Sequence, residues 1–218
     1  MKGLLIKDVK LMLGQKKFFL VVVGMGIFFA FSNANPLSGV SYITMLLSIF
    51  TLSTISYDEF DNGMAFLMTL PIERKTYALE KYVFAGLVSL ISAVGTSVMA
   101  FIFGEVMDVP VVMAEVIGVA CVIVLISWMM LSVTIPLQIK FGAEKGRIAM
   151  ILAMGIIFGV VFALAKLLSN SNADMSSVIL FLESLEAWHL VLGAVLVTAL
   201  ILIISYLSCV RIINKKEY

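Results

Sequence analysis

Six apolar runs constrain the fold of this 218-residue chain more strongly than any other feature. Most of them reach the roughly 20 residues that an α-helix needs to cross a hydrocarbon core of about 30 Å. Helices satisfy their own backbone hydrogen bonds in lipid, and the runs lack the alternating pattern of barrel strands. The sequence therefore predicts an all-α integral membrane protein in which residues 1–218 form one transmembrane domain. The predicted spans are residues 18–35, 37–56, 82–104, 113–136, 148–168 and 188–210.

The composition agrees with this class and excludes several others. Hydrophobic residues make up 62% of the chain and charged residues 13%, whereas a soluble domain has about 45–50% and about 25%. Such a chain is not a soluble enzyme, a disordered protein or a disulfide scaffold. Its net charge of +1 argues against nucleic acid as a partner. We interpret Cys121 and Cys209, which lie in separate apolar runs, as unreactive thiols rather than a disulfide.

Basic residues are distributed asymmetrically between the two ends of the predicted spans. Five lysines precede the first span, and three lysines or arginines follow each of spans two, four and six, so that 14 of 15 share one side. Only Lys166 falls toward the other side, where its long side chain can reach the interface. The positive-inside rule then predicts a multi-pass membrane protein with both termini in the cytoplasm.

The N-terminal segment, residues 1–17, has an amphipathic pattern of its own. Apolar residues recur there at helical spacing, and the set is Leu5, Val9, Met12 and Leu13. We interpret the segment as an interfacial helix on the cytoplasmic leaflet that leads into the first span. The alternative is a secretory signal peptide, because lysines precede an apolar run there as well.

The segment 57–81 is the longest connection on the basic side and mixes charged with apolar residues. Residues 64–70 are apolar, Pro71 interrupts them, and a charged stretch follows. Because proline ends or kinks a helix, we predict two short helices that meet at Leu70 and Pro71. With no core expected to bury it, the apolar face of the first helix would be a docking surface or lie flat on the membrane. The residues near that face are Phe60, Met64, Leu67 and Met68.

Two further patterns lie in and beside the spans. Gly155, Gly159 and Ala163 form a close-packing face in span five, and span three carries several hydroxyl residues. Both sets either pack helices within one subunit or contribute to a subunit interface or a conduction path. On the outer side, residues 177–187 show the spacing of a short amphipathic helix.

The sequence lacks the motifs of a catalytic or energy-converting site. It contains one histidine, no G-x-x-x-x-G-K-[ST] phosphate loop and no G-x-S-x-G motif. We therefore expect no enzyme activity and no metal or cofactor site in this chain. Charged residues stay near the ends of the spans, which argues against proton coupling and leaves sodium coupling open.

The order of these elements resembles that of permease subunits of type-2 ABC exporters, and the resemblance in layout covers the whole chain. Within that class, the chain is similar to small bacterial permeases that export amphipathic toxic peptides, such as the phenol-soluble modulin exporters. The residues that carry the resemblance are Tyr57-Asp58-Glu59, Gly63, Leu67-Met68-Thr69-Leu70-Pro71-Ile72-Glu73-Arg74 and Lys81.

The resemblance implies that two copies of a separate ABC ATPase bind ATP and magnesium and drive the permease. It also implies that two permease copies, or one copy and a paralogue, form a path for an amphipathic peptide or another lipophilic substrate. The region 57–76 would contain the coupling helix that contacts the ATPase. The expected contact residues are Asp58, Glu59, Phe60, Asp61, Gly63, Met64, Leu67, Leu70, Pro71 and Arg74.

Two other functions fit a chain with six spans and no ATP site. One is the substrate-binding membrane module of an uptake transporter, which we would expect to carry polar binding loops on the outer side. The other is a structural or sensory membrane protein without transport. Copurification of an ATPase would favour the exporter, whereas retention of a small vitamin by the isolated chain would favour the uptake module.

Overall fold

The computed structural model describes residues 1–60, 63–170 and 187–216, and within these ranges it contains helices and no strand. This confirms the predicted all-α class. The predicted outer helix over 177–187 falls almost entirely outside the described residues. The helices are α1 (Lys2–Gly14), α2 (Lys16–Ser32), α3 (Pro36–Glu59), α4 (Gly63–Thr69), α5 (Arg74–Val106), α6 (Met113–Asn170) and α7 (Ala187–Lys215).

Four helical segments of the described residues are long and apolar enough to cross a membrane. They lie in α3, in α5, in α6 as far as Gly142, and in α7 from Val191. The pair α1 and α2, bent by 66° at Gln15, would make a fifth span if it crosses as one unit. The separate helix α1 lies within the predicted interfacial segment 1–17, whereas its position at the interface and the count of six spans stay predictions.

The boundaries of α5 and α6 differ from the predicted spans for two reasons. The charged stretch 74–81 continues without a break into the third span, so α5 begins at Arg74. In α6 the helix passes through Pro136 and breaks only at Gly142, where φ is 78° and ψ is 176°. A proline removes one backbone hydrogen bond from a helix, and here the carbonyl it frees, that of Ser132, accepts from the hydroxyl of Ser205 in α7. That replacement bond allows the helix to continue.

Helix α3 lies at the centre of the bundle and packs against α1, α2, α4, α5 and α6. Polar side chains join it to its neighbours: the Thr44 and Thr96 hydroxyl oxygens are 2.9 Å apart, and Gln138 Nε2 donates to the Leu52 carbonyl at 2.9 Å. In α5, Ser89, Ser92 and Thr96 are all buried within this chain. These contacts support the interpretation of the span-three hydroxyls as packing groups within one subunit.

The small-residue face in the second half of α6 has a different setting. Gly155 and Gly159 are exposed, and no described atom lies within 4 Å of a Cβ built at either position. The side chain of Ala163 lies outside the described residues. Burial against the described part of the chain therefore does not account for this face, and its role at a subunit interface stays a prediction.

Candidate functional site

The two termini and the segment 57–74 meet on one side of the bundle. In α1, Lys7 forms an ion pair with Asp58 at the end of α3. At the other terminus, the Nζ atom of Lys216 lies 3.3 Å from Glu59 Oε1. Both ends of the chain are thus placed beside the predicted coupling region, as the asymmetry of basic residues requires.

The segment between α3 and α5 contains the short helix α4, and its end agrees with the predicted break at Leu70 and Pro71. Its start depends on Gly63, where a Cβ would lie 2.8 Å from the carbonyl oxygen of Asp58. A side chain at this position would therefore force the two backbones apart. Glycine allows α4 to fold back directly against the end of α3.

The apolar residues of this segment divide into buried and exposed sets. Met64 and Leu67 are 4% and 8% exposed and belong to the hydrophobic core, so the expectation that no core could bury them is wrong. Phe60 and Phe66 are 71% and 69% exposed, and Leu70 is 42% exposed. The outward face of α4 therefore includes Phe66, which the sequence argument had not selected.

Directly beneath α4 lies a buried charge cluster, formed by Asp8, Asp58, Tyr77, Glu80 and Lys81. The Nζ atom of Lys81 is 2.5 Å from Asp8 Oδ2 and 2.7 Å from Asp58 Oδ2. It also lies 3.6 Å from Glu80 Oε2. A single ammonium group, itself 2% exposed, thus contacts carboxylates from three helices, α1, α3 and α5.

Two further contacts of the buried charge cluster involve Asp58 and Asp8. Tyr77 donates a hydrogen bond of 3.1 Å to Asp58, and Lys7 lies 3.0 Å from Asp8 at the edge of the cluster. Burial by itself would raise the pKa of Asp8, but Lys81 and Lys7 outweigh it and lower that pKa below its ordinary value of 3.8. Asp8 therefore remains negatively charged at neutral pH and holds α1 against the bundle.

Glu80 is the least satisfied member of the buried charge cluster. It is fully buried, and neither of its carboxylate oxygens has a hydrogen-bond partner among the described residues. Removing charges from water is costly unless they are paired in good geometry. Lys81 is consequently the residue on which the three carboxylates depend most.

A second set of contacts joins the segment 57–74 to α6 and α7. Besides its ion pair with Lys216, Glu59 approaches Gly142, where a Cβ would lie 3.2 Å from the carboxylate. Arg74 donates hydrogen bonds of 3.0 Å to the carbonyl oxygens of Ile213 and Asn214. A cation at these carbonyls also interacts favourably with the C-terminal end of the α7 dipole.

These contacts give three of the predicted ATPase-contact residues partners within this chain. Asp58, Glu59 and Arg74 each bind a distant part of the same molecule, and their expected contact with an ATPase stays a prediction. Pro71 is exposed and remains available to a partner, whereas Asp61 lies outside the described residues. The segment therefore combines exposed apolar residues with charged residues that bind it to the rest of the chain. We call these charged residues, Asp58, Glu59 and Arg74, the anchors.

Sequence reasoning missed Asp8 and Glu80 as members of the site. Each had a detectable signal, since Asp8 is the one acidic residue among the lysines of α1 and Glu80 precedes the lysine that opens span three. Spacing alone could not join them, because residues 8, 58 and 80 meet only through packing of three helices.

Replacing Gly142 by alanine should destabilise the protein by about 1–3 kcal/mol. A φ of 78° is strained for residues with a Cβ, and the added methyl would also press on Glu59. Thermal unfolding of the purified protein in detergent would measure the loss. Gly118→Ala is the matched control, because Gly118 lies in the regular part of α6 with open space around it. Equal melting temperatures for the two variants would contradict this account of the break.

One of the comparisons with known proteins identifies a family. The model of the family described as ABC-2 family transporter protein matches residues 3–214. No curated protein and no solved structure matches the chain. Among the residues that the structure describes, no group of histidine, cysteine or acidic side chains could hold a metal ion. The chain belongs to the ABC-2 transporter family, as a membrane permease component that works with an ABC ATPase.

Proposed function

We propose that this chain is the permease of an ATP-driven exporter whose ATPase docks on the outward face of α4. The observation that carries the proposal is the division of segment 57–74 into exposed apolar and anchored charged residues. Phe60, Phe66 and Leu70 are exposed in this chain, whereas Asp58 and Arg74 bind neighbouring helices. Exposed apolar side chains of this kind fit a protein partner.

The anchors would convert movement of α4 into movement of the bundle. The cluster at Asp58 connects the segment to α1 and α5, while Glu59 and Arg74 connect it to α7. A force applied at α4 would thus reach helices at both ends of the chain. Two copies, or one copy and a paralogue, would then open a path between them.

The apolar lining of one cavity in the bundle supports the proposed class of substrate. A cavity of about 300 Å³ lies between α5, α6 and α7. Its lining contains no charged residue and includes the aromatic side chains Tyr82, Trp128 and Tyr206. Charged ions would lose their hydration there without compensation. This supports export of a lipophilic or amphipathic substrate, and an amphipathic peptide like those of the phenol-soluble modulin exporters is our specific proposal.

Purification of the chain from native membranes tests the proposal directly. We expect an ABC ATPase to copurify, and we expect the reconstituted complex to move a fluorescent amphipathic peptide only with ATP and magnesium. Transport without an ATP-hydrolysing subunit would contradict the proposal. Capture of a small vitamin by the isolated chain would instead support the uptake module.

The anchors should matter for coupling more than for association. In Glu59→Gln and Arg74→Gln, peptide export should fall about 2- to 30-fold, the range expected when an energetic connection of 0.5–2 kcal/mol is lost. ATPase association should stay near its original value because the exposed face is unchanged. The adjacent exposed residues give matched controls, Glu73→Gln and Lys75→Gln. If the anchor variants lose the ATPase itself, these residues contact the partner rather than transmit its movement.

A further inference from the structure

A pocket lined by basic side chains lies between the part of α6 just before Gly142 and the C-terminal end of α7. Its volume is about 350 Å³, and it is lined by Ile212 and by four cations, Lys140, Arg211, Lys215 and Lys216. We call it the basic pocket. It lies on the same side of the bundle as the two termini, because Lys216 also binds Glu59.

The positive charge of the basic pocket is largely uncompensated by the described residues. The Nζ atom of Lys216 lies 3.3 Å from Glu59 Oε1 and donates a hydrogen bond of 2.9 Å to the carbonyl oxygen of Ile139. Lys140, Arg211 and Lys215 form no ion pair with any carboxylate in the described part of the chain. Such a cavity attracts an anion, and an arginine favours the paired oxygens of a phosphate.

The depth of the basic pocket identifies the source of that anion. The membrane-length part of α6 ends at Gly142, and that of α7 ends at Lys215. Lys140, Arg211 and Lys215 all lie within four residues of these ends, which is about 6 Å along a helix. The headgroup layer extends about 5–8 Å beyond the hydrocarbon core on each side. The cations therefore lie at the level of lipid phosphates.

We infer that the basic pocket binds the phosphate headgroup of an anionic phospholipid from the leaflet on the side of the termini. Basic pockets between membrane helices on this side suit such headgroups. The bound lipid would sit beside the ion pair of Lys216 with Glu59, next to an anchor of segment 57–74. The inference requires only that the chain spans a membrane, and it holds or fails independently of the proposed cargo and ATPase.

Native mass spectrometry of the purified full chain tests this inference, with phosphatidylglycerol and phosphatidylcholine as probes. The wild type should retain phosphatidylglycerol selectively. The triple variant K140Q/R211Q/K215Q should bind it on the order of a hundredfold more weakly, because each basic group contributes separately to the attraction. The matched control K10Q/K16Q/K17Q removes the same charge from exposed lysines of the N-terminal region and should retain the lipid.

Each alternative gives a distinct result. Equal losses in the two triple variants would show diffuse attraction to the surface and would overturn the inference. Displacement of phosphatidylglycerol by millimolar inorganic phosphate would assign the pocket to a free anion instead. Unchanged lipid binding with loss of the ATPase would assign the cations to the partner protein. If the triple variant does not fold, Arg211→Lys, which preserves the charge but not the paired donors, should still weaken retention measurably.

Discussion

Replacing Lys81 by methionine should lower the free energy of unfolding by about 3–5 kcal/mol, the usual cost of removing one partner from a buried ion pair. The substitution leaves Asp8, Asp58 and Glu80 close together, with only Lys7 at the edge to compensate them. Methionine fills a similar volume, so the loss should arise from charge rather than from a cavity. Unfolding followed by circular dichroism during titration with a denaturing detergent would measure it.

Lys75→Met is the matched control, because Lys75 lies in the first turn of the same helix and is exposed. It should change the free energy of unfolding little, as surface charges contribute little to stability. Adding Asp8→Asn to Lys81→Met should recover part of the loss, since it removes a buried carboxylate that has lost its main cation. A Lys81→Met protein as stable as the wild type would show that the buried charge cluster does not hold α1, α3 and α5 together.

The sequence was sufficient to predict the features that depend on local pattern. Apolar runs predicted the all-α class, Pro71 predicted the end of α4, and the distribution of lysines predicted that the termini share a side. These signals arise from residues close together in the chain, where hydrophobic length and backbone restriction act directly.

The features that sequence reasoning missed depend on packing between distant segments. The periodicity of residues 60–68 could not show that Met64 and Leu67 are buried in the core while Phe66 is exposed. Pro136 looked like the end of a span because the hydrogen bond from Ser205, which replaces the missing one, comes from another helix. Likewise, the sequence shows Asp8 only as one charge of an interfacial helix, whereas in the structure its carboxylate forms an ion pair with Lys81 of α5.

Replacing Phe66 by alanine should weaken binding of the partner ATPase by about 30-fold or more. Truncation of an aromatic anchor at the centre of an interface commonly costs at least 2 kcal/mol, and Phe66 is the most exposed apolar residue of α4. Titration of the copurifying ATPase onto the permease in nanodiscs would give the dissociation constants. The free energy of unfolding of the permease alone should remain unchanged, because an exposed side chain contributes little to its core.

The control for Phe66 must be another exposed apolar side chain on the same side of the membrane. Leu13 in α1 fits, since it is 64% exposed, and Leu13→Ala should leave ATPase binding intact. If α4 instead lies flat on the bilayer, Phe66→Ala would bind the ATPase as the wild type does. Brominated lipid would then also quench the fluorescence that Phe66→Trp adds to that of Trp128 and Trp188. Docking predicts the opposite pair of results, because the partner would cover the ring and the lipid could not reach it. The two measurements together decide whether α4 receives the force that the anchored charges are placed to transmit.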